Sequence, residues 1–508
     1  MTPIPCMTVS NNTKKNRRTL FTGVVVSAGL ITGLSGCYHF SGNTTSGDVT
    51  SQSDIQKIAV IDSGSWYFDS LNHSSAVYKF YAKRQFIPAW WNHKRPSPQA
   101  DTLFQIIQHS RYYGLMRDHY HAAELGRLFY DSAFENDDVI RRSDMLLTDA
   151  FVSIMRDLRF GRRSHLDTAL RHSQHSMDSM AVAVLNASIS RNEIRSFLEE
   201  QEPARDQYKY LRKAVKALID TSSVELRTRL ISSVVEDSTK ESQQLSTIEV
   251  NLDRWRKETE LSGRFIFVNI PDYSLELVEG DTVAFKSKVI VGSGKNQTPE
   301  LDGLIRSFII YPYWNVPRNI AVNEILPQAK RDSLYLRNHN YEILAPDGTV
   351  LNPDSIPWPS LHRNNFPYTF RQTQGLHNAL GLVKFWFANP YAVYLHDTNA
   401  RLLFSRKKRA ISHGCVRVEH AMELGRFLLR DNEIVSPEDL DQYLEFEQQM
   451  AVKIKDIPIH IRYFTCMYRD GQLEFYDDVY GKDAADKKAL FMAPVSSEKS
   501  VLVLSSAE

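Results

Sequence analysis

Two hydrophobic periods divide this chain. From residue 56 to residue 245 apolar positions recur three and four apart, and Leu147, Phe151, Ile154, Met155 and Leu158 fall on one face of a predicted helix. Ser143-Asp144 offers a cap for that helix and Gly161 a stop. From about residue 262 the period drops to two. Phe265, Phe267 and Asn269 alternate with Ile266, Val268 and Ile270, a run that is apolar on both faces. Residues 273–278 alternate more cleanly, Glu279-Gly280-Asp281 supplies a turn, and 282–291 returns as a strand. Residues 323–375 interrupt the strands with mixed polar sequence and several prolines. Residues 419–430 read as a helix, and 437–453 as another, opened by Ser436 as cap with Pro437 at its first position. Residues 457–467 and 473–476 are expected to form a hairpin about Asp470-Gly471. The fold class expected is multidomain α+β: a mainly helical N-terminal part, then a β-sandwich or barrel interrupted by residues 323–375.

Composition narrows the function classes. A chain of 508 residues with 42% hydrophobic and 11% aromatic content can bury real cores in several domains. A net charge of +1 argues against a general nucleic-acid binder. Four cysteines imply no disulfide framework. No His/Cys/Asp/Glu spacing reads as a metal site and no glycine loop as a phosphate cradle, so no cofactor is expected. Trp90-Trp91 and Tyr112-Tyr113 read as core, and Cys466 as a buried inert thiol. Arg406-Lys407-Lys408-Arg409 reads as a solvated face, with attraction of an acidic substrate as the functional alternative. At the N-terminus, Lys14, Lys15, Arg17 and Arg18 precede an apolar stretch, 20–34, that is short for a membrane span. Residues 38–54, rich in Ser, Thr, Gly and Asp, read as a flexible tether.

The chemistry concentrates in Ser412-His413-Gly414-Cys415-Val416-Arg417 and in Tyr394-Leu395-His396-Asp397-Thr398 shortly before it. A free thiol ionises near pH ~8.5, and a neighbouring imidazole makes it reactive at lower pH. Cys415 is therefore a candidate nucleophile and His396 its general acid/base. Gly414 lets the backbone approach a substrate, and the N–H groups around it and Cys415 could hold an oxyanion. His413, two residues before the cysteine, is read as orienting and supporting, together with Ser412. Arg417 is a candidate carboxylate clamp or an internal ion-pair partner, and Tyr394 and Trp314 are candidate cleft-lining residues. A papain-like protease would place its cysteine long before its histidine, the reverse of the order here.

This constellation resembles the L,D-transpeptidases, whose catalytic domain is called YkuD. Their pattern is a histidine, a short connection, then Ser/Thr-His-Gly-Cys, a hydrophobic residue and Arg or Asn, met here by His396 and residues 412–417. Further stretches are similar to the large, YcbB-type subgroup: Asn251-Leu252-Asp253-Arg254-Trp255, Phe267-Val268-Asn269-Ile270-Pro271, Tyr311-Pro312-Tyr313-Trp314-Asn315-Val316-Pro317, Glu324-Ile325-Leu326-Pro327, Asn378-Ala379-Leu380-Gly381 before Lys384-Phe385, and Asn389-Pro390-Tyr391. Leu34-Ser35-Gly36-Cys37 resembles a lipobox, which implies lipidation at Cys37. Tyr38 rather than aspartate after the cysteine favours the outer over the inner membrane.

The resemblance implies 1–36 as a lipoprotein signal peptide, 37–55 as lipidated cysteine and tether, and 56–245 as helical scaffold. It implies 246–322 and 376–432 as catalytic domain, 323–375 as a lid, and 433–508 as a C-terminal helix and hairpin packed on the rest. Too few residues lie between Leu211 and Leu252 for the subgroup's peptidoglycan-binding module. The implied activity is formation of 3–3 cross-links between meso-diaminopimelate residues of peptidoglycan tetrapeptide stems through a Cys415 thioester, in the periplasm. Carbapenems would acylate the same cysteine. Hydrolysis to tripeptide, D-amino-acid exchange or lipoprotein attachment would use the same thioester, and a non-catalytic wall-binding lipoprotein is the alternative of another class.

Overall fold

The structure, a computed structural model, describes residues 71–92, 94–130, 137–162, 174–232, 239–258 and 261–491. The expected signal peptide, Cys37 and the tether lie outside the described residues. Among those described, no helix is long and apolar enough to cross a membrane.

The N-terminal half is helical: α1 (Ser74–Lys83), α2 (Pro98–Gln108), α3 (Ala122–Tyr130), α4 (Asp137–Phe160), α5 (Gln174–Arg191), α6 (Ile194–Glu200), α7 (Asp206–Thr221), α8 (Val224–Ser232) and α9 (Lys240–Arg256). Helix α4 is the axis of the first core, with Leu147, Phe151, Ile154, Met155 and Leu158 all buried. It begins a turn and a half before the expected cap, with Asp137 and Asp138 in its first turn. Ser143 and Asp144 lie inside it, fully buried. Asp144 instead accepts the N–H groups of Ala89 (2.9 Å) and Trp90 (2.8 Å), so its carboxylate terminates a different segment. Gly161, at φ +75°, ends the helix as expected. Of residues 211–252, those described form most of α7, then α8, then most of α9.

The second half is built on β1 (Arg264–Asn269), β2 (Ser274–Glu279), β3 (Thr282–Gly292), β4 (Leu301–Ile310), β5 (Trp314–Asn315), β6 (Tyr341–Leu344), β7 (Val350–Leu351), β8 (Thr369–Gln372), β9 (Val383–Trp386), β10 (Leu395–His396), β11 (Ala410–Ser412), β12 (Val416–Val418) and β13 (Met450–Arg462). The main sheet runs β3-β12-β10-β9-β4-β13-β1-β2, and β2 pairs with β3 to close it. β11 extends β3 in parallel. Closure lets one continuous sheet form both layers around a single core. Cross-strand partners Phe308, Phe385, Leu395 and Val416 fill that core, with Leu424 and Leu428 of α10 (Ala421–Leu429).

The C-terminal part differs from expectation. The helix opened by Ser436, α11 (Pro437–Glu445), stops eight residues early. Residues from Met450 onward enter β13, which pairs with β4 on one side and β1 on the other. A segment expected to pack against the domain is thus one of its central strands. The reason lies in its alternation: Val452, Ile454, Ile457, Ile459 and Ile461 all bury in the core. The hairpin about Asp470-Gly471 forms from β14 (Cys466–Arg469) and β15 (Gln472–Phe475), without residues 457–462. Helix α12 (Lys482–Phe491) follows.

The double-sided apolarity of β1 has its cause in a third core. Ile266 and Val268 face the sheet interior, whereas Phe265 and Phe267 meet Trp255 of α9 and Phe464 on the other side. Trp255 stacks on Phe464 with ring centroids 4.2 Å apart. Asn251 and Asn269 are buried and fasten the chain at Thr465 and Phe464, each accepting a backbone N–H at 2.9 Å. These subgroup-like residues are therefore structural.

The insert has a core of its own. Val316, Val322, Ile325, Leu336, Ile343, Phe366 and Phe370 bury one another beneath the small sheet β5-β8-β6-β7. Its weak periodicity reflects short elements, among them a π-helical turn at Ala321–Ile325, rather than irregular chain.

Candidate active site

Register decides which side chains meet. β10 and β12 run parallel, with Leu395 opposite Val416 and His396 opposite Arg417. Leu395 and Val416 point into the core, so His396 and Arg417 point to the opposite face, together with Tyr394 and Cys415 one pleat earlier. The N–H of Val416 donates to the Tyr394 carbonyl at 3.1 Å. Lys384 of β9 pairs with His396 and joins the same face. The face therefore carries Lys384, His396 and Arg417 in one row and Tyr394 and Cys415 in the next.

The turn holding Cys415 is braced from below. Ser412 is buried; its hydroxyl donates to the Cys415 carbonyl at 2.6 Å and accepts the Gly414 N–H at 3.1 Å. Gly414 takes φ +118°, a conformation open to glycine. Thr298, which the sequence reading did not single out, donates to the Gly414 carbonyl at 2.7 Å and accepts the Gly292 N–H at 2.8 Å. Tyr480 secures the same corner, donating to the Gly292 carbonyl at 2.7 Å and accepting the Thr298 N–H at 3.1 Å. Because Ser412 occupies the Gly414 N–H, that group is not free for an oxyanion as expected. The Cys415 N–H has no acceptor among the described residues.

His396 is buried. Its Nδ1 lies 2.5 Å from the Asp397 carbonyl, which can only accept, so Nδ1 carries the proton and Nε2 keeps its lone pair. Asp397 is held by Arg401 at 2.7 Å and by the Leu382 N–H at 3.0 Å. A side chain at Gly381 would put Cβ 2.3 Å from the Asp397 carboxylate, which accounts for glycine after Asn378-Ala379-Leu380. Asn378 itself is buried and ties the Pro312 and Thr373 carbonyls, at 3.0 and 2.8 Å, so it fastens both ends of the insert.

Electrostatics set the resting protonation. Burial pushes the Cys415 thiol up, against the opposing pull of the Tyr394 N–H and hydroxyl and of Lys384 and Arg417. Burial, then the charges of Arg417 and Lys384, bring His396 down to about 3. Both groups are uncharged at neutral pH. The thiol points at the Ala392 carbonyl, 4.0 Å away, and no hydrogen bond joins it to His396. Burial also raises the Tyr394 phenol, which keeps its proton and lies beside the sulfur and Trp314.

His413 does not point toward His396. It is exposed and reaches Glu324 of the insert, Nε2 to Oε1 2.7 Å. Of the basic run, Arg406, Lys407 and Lys408 are exposed, while Arg409 donates to the Val289 and Tyr273 carbonyls, both at 3.1 Å. Cys466 is buried and its thiol raised by desolvation. Among the described residues no cluster of His, Cys, Asp and Glu could hold a metal ion.

A family profile for the scaffold domain matches residues 75–215. Another, for the L,D-transpeptidase catalytic domain (YkuD), matches residues 263–435. A Haemophilus influenzae protein named "Putative L,D-transpeptidase" is 37% identical over 218 residues, covering 43% of this chain and 44% of that one. This chain therefore spans less than half of that relative's length. Among solved structures, an L,D-transpeptidase from Mycobacterium smegmatis is 13% identical with a TM-score of 0.20, over 40% of this chain and 59% of that one. L,D-transpeptidase 1 of Mycobacterium tuberculosis is 13% identical with a TM-score of 0.17, over 39% and 61%. Those two likenesses are too slight to bear on fold or mechanism. On the two profile matches, taken with the sheet and site above, this chain carries a scaffold domain followed by an L,D-transpeptidase catalytic domain of the YkuD family.

Proposed function

We propose that this protein is a cysteine-dependent acyltransferase that forms 3–3 cross-links between peptidoglycan stems. The observation that carries this reading is the placement of Cys415, Tyr394 and His396 on one face of parallel strands β10 and β12, beside a braced turn. Cys415 Sγ attacks the carbonyl between meso-diaminopimelate and the terminal D-alanine of a donor tetrapeptide. The thiol proton passes to His396 Nε2 as the S–C bond forms. The Cys415 N–H and the Tyr394 hydroxyl are the donors available to the oxyanion. The C–N bond breaks, His396 returns the proton to the departing amine, and D-alanine leaves. The side-chain amine of an acceptor stem then attacks the thioester, gives its proton to His396, and the sulfur regains it as the S–C bond breaks.

Since no hydrogen bond joins sulfur and imidazole at rest, substrate binding must turn the thiol from the Ala392 carbonyl toward Nε2. The insert, joined to the catalytic turn through Glu324–His413, serves as the lid that keeps water from the thioester. Lipidation at Cys37 and anchoring in the periplasm at the outer membrane complete the proposal; they rest on the N-terminal sequence alone.

The deciding experiment incubates the protein with purified tetrapeptide-rich muropeptides and identifies products by mass spectrometry. Cross-linked dimer with released D-alanine is expected. Tripeptide alone would make the protein a carboxypeptidase, exchanged product a D-amino-acid exchanger, and unchanged substrate would remove the acyl-transfer reading. Fractionation of cells, with Cys37→Ser as comparison, tests the anchor: wild type recovered soluble with an unmodified N-terminus would refute it.

A further inference from the structure

The acyl-transfer reading uses Cys415, Tyr394 and His396, and leaves two half-buried cations beside them without a task. Lys384, His396 and Arg417 are partners across three adjacent strands, so their side chains leave the sheet side by side. Lys384 Nζ lies 4.0 Å from the centre of the Tyr394 ring, whose hydroxyl lies beside the sulfur. Arg417 Nε is buried with no hydrogen-bond partner. The Cys415 thiol is the one acidic group that favours the charge of either cation. Neither has a carboxylate partner among the described residues. Two like charges held partly out of water without a counter-ion are unfavourable unless an anion arrives between them.

We propose that Lys384 and Arg417 form a seat for the free C-terminal carboxylate of the donor stem, the one carried by the departing D-alanine. The proposal rests on the acyl-transfer reading above. The seat adjoins the nucleophile, so the carboxylate it takes must lie near the attacked carbon. In a tetrapeptide stem the terminal carboxylate is one amide nitrogen and one α-carbon away. The glutamate carboxylate and the second carboxylate of diaminopimelate are further along the chain. A guanidinium fork and an ammonium point charge together can grip one carboxylate from two sides. The site would then admit chains that end one residue past the attacked carbonyl and penalise those that continue. Occupation of the seat also acts on the base: Arg417 and Lys384 hold down the basicity of His396 in the empty site, and an anion between them relieves that pressure once a donor is bound.

The test compares the tetrapeptide L-Ala-γ-D-Glu-meso-diaminopimelate-D-Ala with its C-terminal amide, using the full-length protein and its Lys384→Met and Lys384→Arg variants. Wild type should prefer the acid by about 10- to 100-fold in kcat/KM, the range for loss of a charge-assisted hydrogen bond. Lys384→Met should lose a similar factor on the acid, with its preference over the amide falling below about 3-fold, while Lys384→Arg regains most of it. Equal turnover of acid and amide by wild type would overturn the seat. So would a preference that survives in Lys384→Met while both rates fall, because Lys384 would then act on the sulfur alone. Calorimetry in a Cys415→Ala background separates the two levels of the proposal. Failure of wild type to consume the acid removes the acyl-transfer reading, whereas equal binding of acid and amide by Cys415→Ala removes the seat irrespective of turnover.

Discussion

A half-buried thiol among cations and a neutral imidazole behaves differently from a resting thiolate–imidazolium pair. With Cys415 raised and His396 at about 3, kcat/KM should stay flat from about pH 4 to about pH 8. An inflection near the ordinary histidine value would mean that His396 is charged at rest. The same shift bears on stability. The folded pKa of His396 lies below the unfolded one, near 6.5, so the unfolded chain takes up this proton first as pH falls. His396 therefore weakens the fold progressively between about pH 6.5 and pH 3, and not above that window. His396→Asn should flatten the decline of Tm across this range relative to wild type; parallel Tm curves would place the titrating group elsewhere. In catalysis His396→Ala should cost ~10²-fold or more in kcat, while Cys415→Ala should abolish both turnover and covalent labelling by carbapenems. Labelling retained by Cys415→Ala would move the nucleophile.

At the scale of elements, the catalytic turn depends on neighbours remote in sequence. Thr298→Val leaves the Gly414 carbonyl and the Gly292 N–H without their partner, each costing about 1–3 kcal/mol when buried. A lower kcat with little change in KM is expected, because the turn positions the nucleophile rather than the stem. A changed KM at constant kcat would assign Thr298 to binding instead. The lid contact predicts the opposite balance. His413 and Glu324 are both exposed, so Glu324→Gln should shift Tm hardly at all, an exposed pair being worth about 0–1 kcal/mol. It should raise the ratio of tripeptide to cross-linked dimer, since a looser lid lets water reach the thioester. Replacing 316–370 by a short Gly/Ser linker should do so more strongly and leave the main sheet folded, because the insert buries its own core. A folded deletion variant with the wild-type product ratio would reduce the insert to a spacer.

For the whole molecule, the C-terminal part is integral. β13 lies between β4 and β1, so a chain ending at 445 would open the closed sheet and strip its core. Such a chain should not melt cooperatively; a cooperative transition with retained turnover would show that β13 is dispensable. Removal of α12 is a milder change. It leaves Arg254, buried and paired with Asp483 at 2.7 Å and Asp486 at 2.6 Å, as an uncompensated charge. Loss of a partner from a buried pair costs about 3–5 kcal/mol, which should appear as a large drop in Tm rather than as a change in chemistry. Tyr480 sits on the chain leading into α12 and touches the catalytic corner, so this helix joins the scaffold side, through Arg254, to the nucleophile's turn.

Local sequence alone carried the resemblance to the family, the helical-then-β division and most element types. Ser412, Gly414, Cys415 and His396 were legible as a candidate site because a reactive thiol needs a base and a turn that glycine can make. The helix around Leu147 and the strand 282–291 were legible because their apolar periods are local. The extent of α4 was not: Asp144 looks like a cap from its neighbours, yet its partners are Ala89 and Trp90, more than fifty residues away. Residues 446–453 looked helical by continuation from α11, yet the chain turns at 446–449 and Met450–Lys453 pair with β4 as the start of β13. Lys384, Thr298 and Tyr480 could not be assigned from sequence for the same reason. Their roles come from register and from contacts across the sheet, as with Lys384 opposite His396 and Thr298 beneath Gly414. Periodicity reports which side of an element is apolar, but only the packed sheet decides which polar side chains stand next to one another.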